Sequence, residues 1–359
     1  MTLSERVASG IGPAAGRLAV AAAAVGVLAL VVAVAAGRAA PAEAALLASW
    51  LFFAGLAAGS VAVAAAVRVA HGRWAEGALP LAEAGTAFFG PALVLLAVVV
   101  GGEHLIVRGP HAAVALRLLV SAAVVFAAGR RFVRTARRAG GDPGRVRRDA
   151  LVYLLGYAVG LSVWGHDLVL RLSAGPPFTV VPAYYFLGAF LSGLAWVSLV
   201  AALGDVSGPD LRHDLGKLLF GFIVVWSYLL WALFLPTWYG NVPEEAAVLL
   251  RRWTGPWRPV TAVVLVAVFA WPFWLLFSET LKRRRATLAV GAATILLGLW
   301  GERVLLVVPS LELRGGAASI VLGIGVGLGV AGAFLLSVGA QLGASGPLGA
   351  APAPRRGPP

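Results

Sequence analysis

No cysteine occurs anywhere in this chain. That absence excludes disulfides and any iron–sulfur cluster held by thiolates of this chain. Charge is scarce as well, since Asp, Glu, Lys and Arg supply 13% of the residues against 60% hydrophobic. Water could not solvate so much apolar surface, so the soluble classes fall away. Histidine is limited to five residues. A bis-imidazole haem needs histidines deep in facing spans, whereas His71 and His213 fall at inner loops or mouths, and His104, His111 and His166 fall toward the outside. No haem site is legible. Before the first apolar run stand only Arg6 and Arg17, with no small-residue cleavage site after a short apolar region, so this segment reads as an uncleaved first helix.

Long apolar runs are what the chain has in abundance. Runs of about twenty residues, the length that crosses a bilayer as helix, fall at Leu18 to Ala36, Ala45 to Val67, Ala84 to Val100, His111 to Ala128 and Ala150 to Leu172. They continue at Ala183 to Leu203, Leu215 to Pro236, Pro259 to Ser278, Thr287 to Val308 and Ala318 to Ser337. The expected fold is therefore all-α and polytopic with ten transmembrane helices. The formal net charge of +13 invites a nucleic-acid reading, but the placement of the cations rejects it. Odd-numbered connections carry few of them. Even-numbered connections carry most, above all the fourth (Arg130, Arg131, Arg134, Arg137, Arg138, Arg145, Arg147, Arg148) and the run Lys282 to Arg285. The positive-inside rule then puts both termini and the even loops in the cytoplasm of a bacterial inner membrane, with anionic lipid headgroups as partners of the basic loops.

An internal duplication is visible. WGHDLVL from Trp164 lies over WGERVLL from Trp300, EAGTAFFG (Glu83 to Gly90) over DLGKLLFG (Asp214 to Gly221), and FFAGLAAGS (Phe52 to Ser60) over YFLGAFLSG (Tyr185 to Gly193). Parallel repeats of an even number of spans sit side by side about an axis along the membrane normal. The expected organisation is a cytoplasmic N-terminus over 1–17, a first helix over 18–36, four-helix bundles over 45–172 and 183–308, a tenth helix over 318–337 and a disordered Gly/Pro/Ala tail over 338–359. Gly55 with Gly59, and Gly188 with Ser192, are small residues one turn apart that let helix backbones approach in lipid.

Polar residues gather at the ends of the spans. At the outer ends are Glu103, His104, His166, Asp167, Arg171, Glu302 and Arg303. A quinol headgroup needs one group to take its proton and another to hold its second oxygen, and a His beside an Asp supplies both. The structural reading of the same residues is ion pairing near the interface, Asp167 with Arg171 one turn on, and Glu302 with Arg303 or a neighbouring helix. At the inner ends are Glu83, Asp214 and Lys217, which read either as a proton or water entry or as helix-dipole partners and a snorkelling lysine. Tyr157, Ser162, Ser227, Tyr228 and Thr294 lie between the two ends as supports for a water file. In the segment HDLGKLLFGFIVVWSYLLWALFLPTWYGNVPEE from His213 to Glu245, Trp226, Tyr228 and Trp231 within the apolar span suggest an inner face that meets polar groups rather than lipid.

That segment, with SWLFFAGLAAGS and PAYYFLGAFLSGLAW, resembles the NrfD-like, polysulfide-reductase-type membrane subunits, closest to the second quinone-binding-type subunit of alternative complex III, a bacterial quinol:cytochrome c oxidoreductase. The resemblance runs from about Ser49 to about Pro309 and departs from the family pattern after Asp167, where this chain reads LVLRLSAGPP. It implies a subunit without a redox centre of its own, working with menaquinol or ubiquinol. It implies as partners a multihaem cytochrome c, an iron–sulfur and molybdopterin-like subunit and a second NrfD-like membrane subunit. A secondary transporter or ion-translocating module, and a purely structural scaffold, are the competing classes.

Overall fold

The structure, a computed structural model, describes residues 13–102, 111–138, 142–172, 180–204, 208–240, 242–311 and 317–344. Among the described residues every regular element is helical. Ten helices are long and apolar enough to cross a bilayer: α1 (Pro13–Ala35), α2 (Ala39–Val69), α3 (Leu79–Gly101), α4 (His111–Arg137), α5 (Pro143–Leu168), α6 (Val181–Leu203), α7 (Pro209–Gly240), α9 (Trp257–Phe277), α10 (Arg285–Val307) and α11 (Ala317–Ala344). A shorter helix, α8 (Pro243–Trp253), lies between α7 and α9. The protein is thus an all-α, multi-pass membrane protein. The last span continues past the expected end at Ser337 to Ala344, so the first part of the expected tail is helix; residues 345–359 lie outside the described residues.

Burial sorts the spans. In α2, 89% of the apolar stretch is buried inside the protein, against 17% in α1 and in α7, so α2 is the axis and those two are rim helices. Its composition explains this, because alanines and glycines let neighbouring backbones close in where lipid offers no hydrophobic drive to helix pairing. A Cβ on Gly59 would collide with the Ala189 carbonyl of α6, and one on Gly193 with the backbone of Gly59 and Ser60. α5 packs on α6 as α10 packs on α2, and α5 packs on α2 as α10 packs on α6. α1 and α11 pair with each other through Gly26 and Gly329.

Between these helices, buried polar groups find partners on the backbone of a neighbour. Tyr153 donates to the Ala58 carbonyl at 2.7 Å, Tyr185 to Leu51 at 2.9 Å, Tyr157 to Phe186 at 2.7 Å, and the Trp50 indole to Ala92 at 2.7 Å. Each bond is worth about 1 kcal/mol net, and an unpaired hydroxyl at that depth would cost more. The start of α5 is set locally. Pro143 occupies the first turn, and the Asp142 side chain caps it by accepting from the Gly144 amide at 2.9 Å.

Of the side chains expected to support a water file, Tyr157, Ser162, Ser227, Tyr228 and Thr294, four donate to backbone carbonyls and one faces outward. Ser162, Ser227 and Thr294 donate to carbonyls of their own helices, as Tyr157 does to a neighbour. Tyr228 is 66% exposed on the outer face of α7, and Trp231 is 52% exposed. The buried stripe of α7 runs Leu215, Leu219, Ile223, Trp226 at helical spacing, which turns Tyr228 away. Only Trp226 among those aromatics meets the polar interior.

Candidate functional site

Because each span reverses the direction of the last, the ends joined by even loops lie on one side and those joined by odd loops on the other. The even-loop end of the first half holds Glu83, 3% exposed, clamped between Arg68 Nη2 at 2.7 Å and Arg137 Nε at 2.9 Å. Both oxygens of this expected proton-entry residue are therefore committed to guanidinium groups. A second buried carboxylate close by, Asp149, accepts from Thr135 at 2.9 Å and from Arg131 at 3.3 Å. Arginines of the fourth connection thus close this end, a role that counting charge per loop does not reveal.

In the second half the aligned acid is only partly buried, its side chain 29% exposed. Asp214 pairs with Lys217 at 2.7 Å on the surface of α7. Around it, Arg283 bridges Asp210 at 2.8 Å and Glu279 at 3.2 Å, and His213 stands 4.0 Å from Glu279. The hydrogen bond from Arg283, with His213 nearby, holds the Glu279 carboxyl below its ordinary value, and the bonds to Asp210 and Glu279 raise Arg283. Glu83 and Asp214, matched in sequence, do not share an environment.

At the odd-loop end of the first half, Asp167 has a fully buried side chain, and Arg117 of α4 grips both of its oxygens, Nε to Oδ2 at 2.6 Å and Nη2 to Oδ1 at 2.5 Å. His166 Nδ1 lies 2.8 Å from Asp167 Oδ1. His166 and Arg117 are half-exposed and line an open groove of about 450 Å³ with Ala158, Val159, Ser162 and Val163. The expected pair of Asp167 with Arg171 is not the one that forms. α5 ends at Leu168, Val169 leaves helical geometry (φ −123), and Arg171 belongs to a separate turn, so the one-turn spacing that would align them is broken. Glu103 and His104, the other outer residues expected here, lie outside the described residues.

The odd-loop end of the second half is sealed instead. Glu302 and Arg303 are 4% and 1% exposed, with Arg303 Nη1 3.0 Å from Glu302 Oε2. Arg303 lies over the Tyr185 ring at 4.6 Å, and Gly188 leaves its guanidinium room, since a Cβ there would sit 2.7 Å from Nη2. Gly188 is thus more than a packing residue. Tyr184 faces Glu302 and stacks obliquely on Trp226 at 5.9 Å. Next to Tyr184 is an apolar cavity of about 420 Å³ between α6 and α7, covered by α8. Nothing in the sequence reading singled out that cavity, because its walls are mostly ordinary apolar side chains drawn from five helices and the turn after α5.

Among the described residues no three His, Asp or Glu converge as a metal site. The sequence matches no protein-family model and no curated protein.

Proposed function

We propose that this chain is a membrane subunit of a quinol-oxidising complex of the alternative complex III type, set in a bacterial inner membrane with both termini cytoplasmic and built from two parallel four-helix units. The observation that carries the reading is the His166–Asp167–Arg117 arrangement at the groove. Asp167 engages His166 Nδ1, so Nε2 is the nitrogen left to take a proton from a phenolic hydroxyl. Arg117 fixes the carboxylate with Nε and Nη2, leaving Nη1 to hold the second oxygen of the same ring. The groove opens on the lipid-facing side of α5, beside the exposed Val159, which lets an isoprenoid quinol enter without crossing water.

Oxidation of one quinol releases two protons and two electrons. His166 takes the first proton, the second leaves by the aqueous odd-loop side, and both electrons pass to redox centres carried by partner subunits. The odd-loop end faces away from the cytoplasm in this reading, which follows from the density of Arg131, Arg134, Arg137, Arg145, Arg147 and Arg148 at the other end.

The test is quinol:cytochrome c reductase activity in the complex purified from native membranes. His166→Ala should lower turnover about a hundredfold, the scale of a lost general base, in complexes that keep their full haem content. Parental turnover in His166→Ala complexes would remove the catalytic reading and leave the chain an anchor.

A further inference from the structure

The cavity between α6 and α7 has a polar end made by Tyr184 and by Arg252 of α8. Its remaining walls are almost wholly apolar, with Leu230, Trp231, Leu249 and Trp253 prominent. Four of the five N–H groups of Arg252 are used: Nε on the Leu305 carbonyl (3.0 Å), Nη1 on Val248 (2.5 Å), and Nη2 on Leu306 (3.1 Å) and Ser310 Oγ (2.8 Å). All four acceptors are neutral, so the hydrogen bonds fix the guanidinium without cancelling its charge. Burial, with Arg251 beside it, pushes Arg252 down to about 10, which leaves it charged at neutral pH.

The buried acid whose field reaches Arg252 is Glu302, and it is already opposed directly by Arg303 at 3.0 Å. Among the described residues, no carboxylate lies within ion-pair distance of Arg252, so among them this end of the cavity carries one cation in excess. A partly desolvated, uncompensated charge is costly and calls for an anion. The anion must reach it from the membrane side, where Trp231 and Trp253 are half-exposed in the manner of an interfacial aromatic belt. α8 itself has the make-up of an interfacial helix. Its Val248, Leu249 and Trp253 face the cavity, while Arg251 and Leu250 are exposed, and Gly255 (φ 55) makes the sharp left-handed turn that folds α8 back against the start of α9.

We propose that this cavity is a binding site for one anionic phospholipid, an acyl chain filling the space between α6 and α7 and the phosphate lying against Arg252. The site stands independently of any quinol chemistry at His166. The remaining Arg252 N–H supplies one charge-assisted bond to the phosphate, and the apolar walls supply the burial of the chain.

The test uses the full chain, with any subunits that accompany it, stripped of lipid in detergent and titrated with phosphatidylglycerol, with phosphatidylcholine of the same chains, and with inorganic phosphate. Bound lipid is counted by native mass spectrometry. Phosphatidylglycerol should bind at least about tenfold more tightly than phosphatidylcholine, a difference of ~1.4 kcal/mol. Arg252→Gln should erase that preference. Because Arg252 also ties down the end of α10, the second variant is Leu249→Trp, which fills the cavity and leaves the guanidinium in place; it should lose the tight phosphatidylglycerol. Equal binding of the two lipids, undiminished phosphatidylglycerol in Leu249→Trp, or displacement of the lipid by inorganic phosphate alone would each overturn the proposal.

Discussion

The two odd-loop ends are aligned in sequence and opposed in charge order. WGHD in α5 and WGER in α10 put His166 over Glu302 and Asp167 over Arg303, so the position that is an acid in one half is a base in the other. The difference in surroundings follows from a single neighbour. α4 brings Arg117 to Asp167, and the pair, made between helices, leaves His166 half-exposed at a groove. α9 packs on α10 with Val264 and Val268, both apolar, so Arg303 takes its countercharge from the adjacent Glu302. The whole pair is then drawn inside, under Tyr184 and Trp226. One half presents its charges and the other hides them, which is why the proton-handling reading attaches to His166 and the lipid reading to the cavity beside the sealed pair.

That contrast assumes both clusters lie at one end of the bundle, and the absence of native cysteine makes an all-or-none check available. Arg251→Cys and Arg283→Cys should label from opposite sides with an impermeant thiol reagent, Arg251→Cys alone reacting in intact cells stripped of their outer membrane. Reaction of both would break the topology.

Next in size is the sealed pair. Glu302→Ala strands Arg303, 1% exposed, and should cost about 3–5 kcal/mol, the usual penalty for removing one partner of a buried ion pair. Asp167→Ala should cost less, because Arg117 is half-exposed and can reach water or headgroups. Thermal unfolding in detergent ranks the two, and a larger loss for Asp167→Ala would invert the comparison.

A smaller effect is expected at the even-loop end. Glu83→Gln keeps the shape but loses the charge-assisted bonds to Arg68 and Arg137, for a loss of about 1–3 kcal/mol. Asp214→Asn, at the partly exposed partner position, loses only a bridge to the solvent-exposed Lys217 and should stay within about 1 kcal/mol. Equal losses would mean that the two halves share an environment after all.

The smallest effect is that of pH on the surface bridge. Glu279 is held below its ordinary value of 4.5, so its contribution is complete above that pH and disappears as pH falls through the lower folded value. Unfolding curves of the parental chain and Glu279→Gln should therefore converge only below about pH 4.5. Convergence near neutrality would contradict the Arg283 bridge.

The spans were legible because each is a run of apolar residues long enough to be counted, and the structure extends them at one end or both. The partners of the polar residues were legible only where they are local. Asp214 with Lys217 and Glu302 with Arg303 lie on one helix and could be read from spacing. Arg117 with Asp167, and Arg68 and Arg137 with Glu83, join different helices, and only packing brings them together. Arg171 misled because a one-turn spacing is meaningful only while the helix continues, and α5 stops at Leu168. Tyr228 misled because an aromatic in an apolar span carries no mark of which way it turns.

The backbone contact of α2 with α6 also bears on biosynthesis. α2 leaves the ribosome early, yet the surface around Gly59 that receives Ala189, and the Leu51 carbonyl that receives Tyr185, find their partners only after more than a hundred further residues have been made. The helix that ends as the axis of the bundle must therefore first wait in lipid as an ordinary apolar span. Its mean hydropathy of 2.0 lets it do so, and its small residues keep the seam open until α6 arrives.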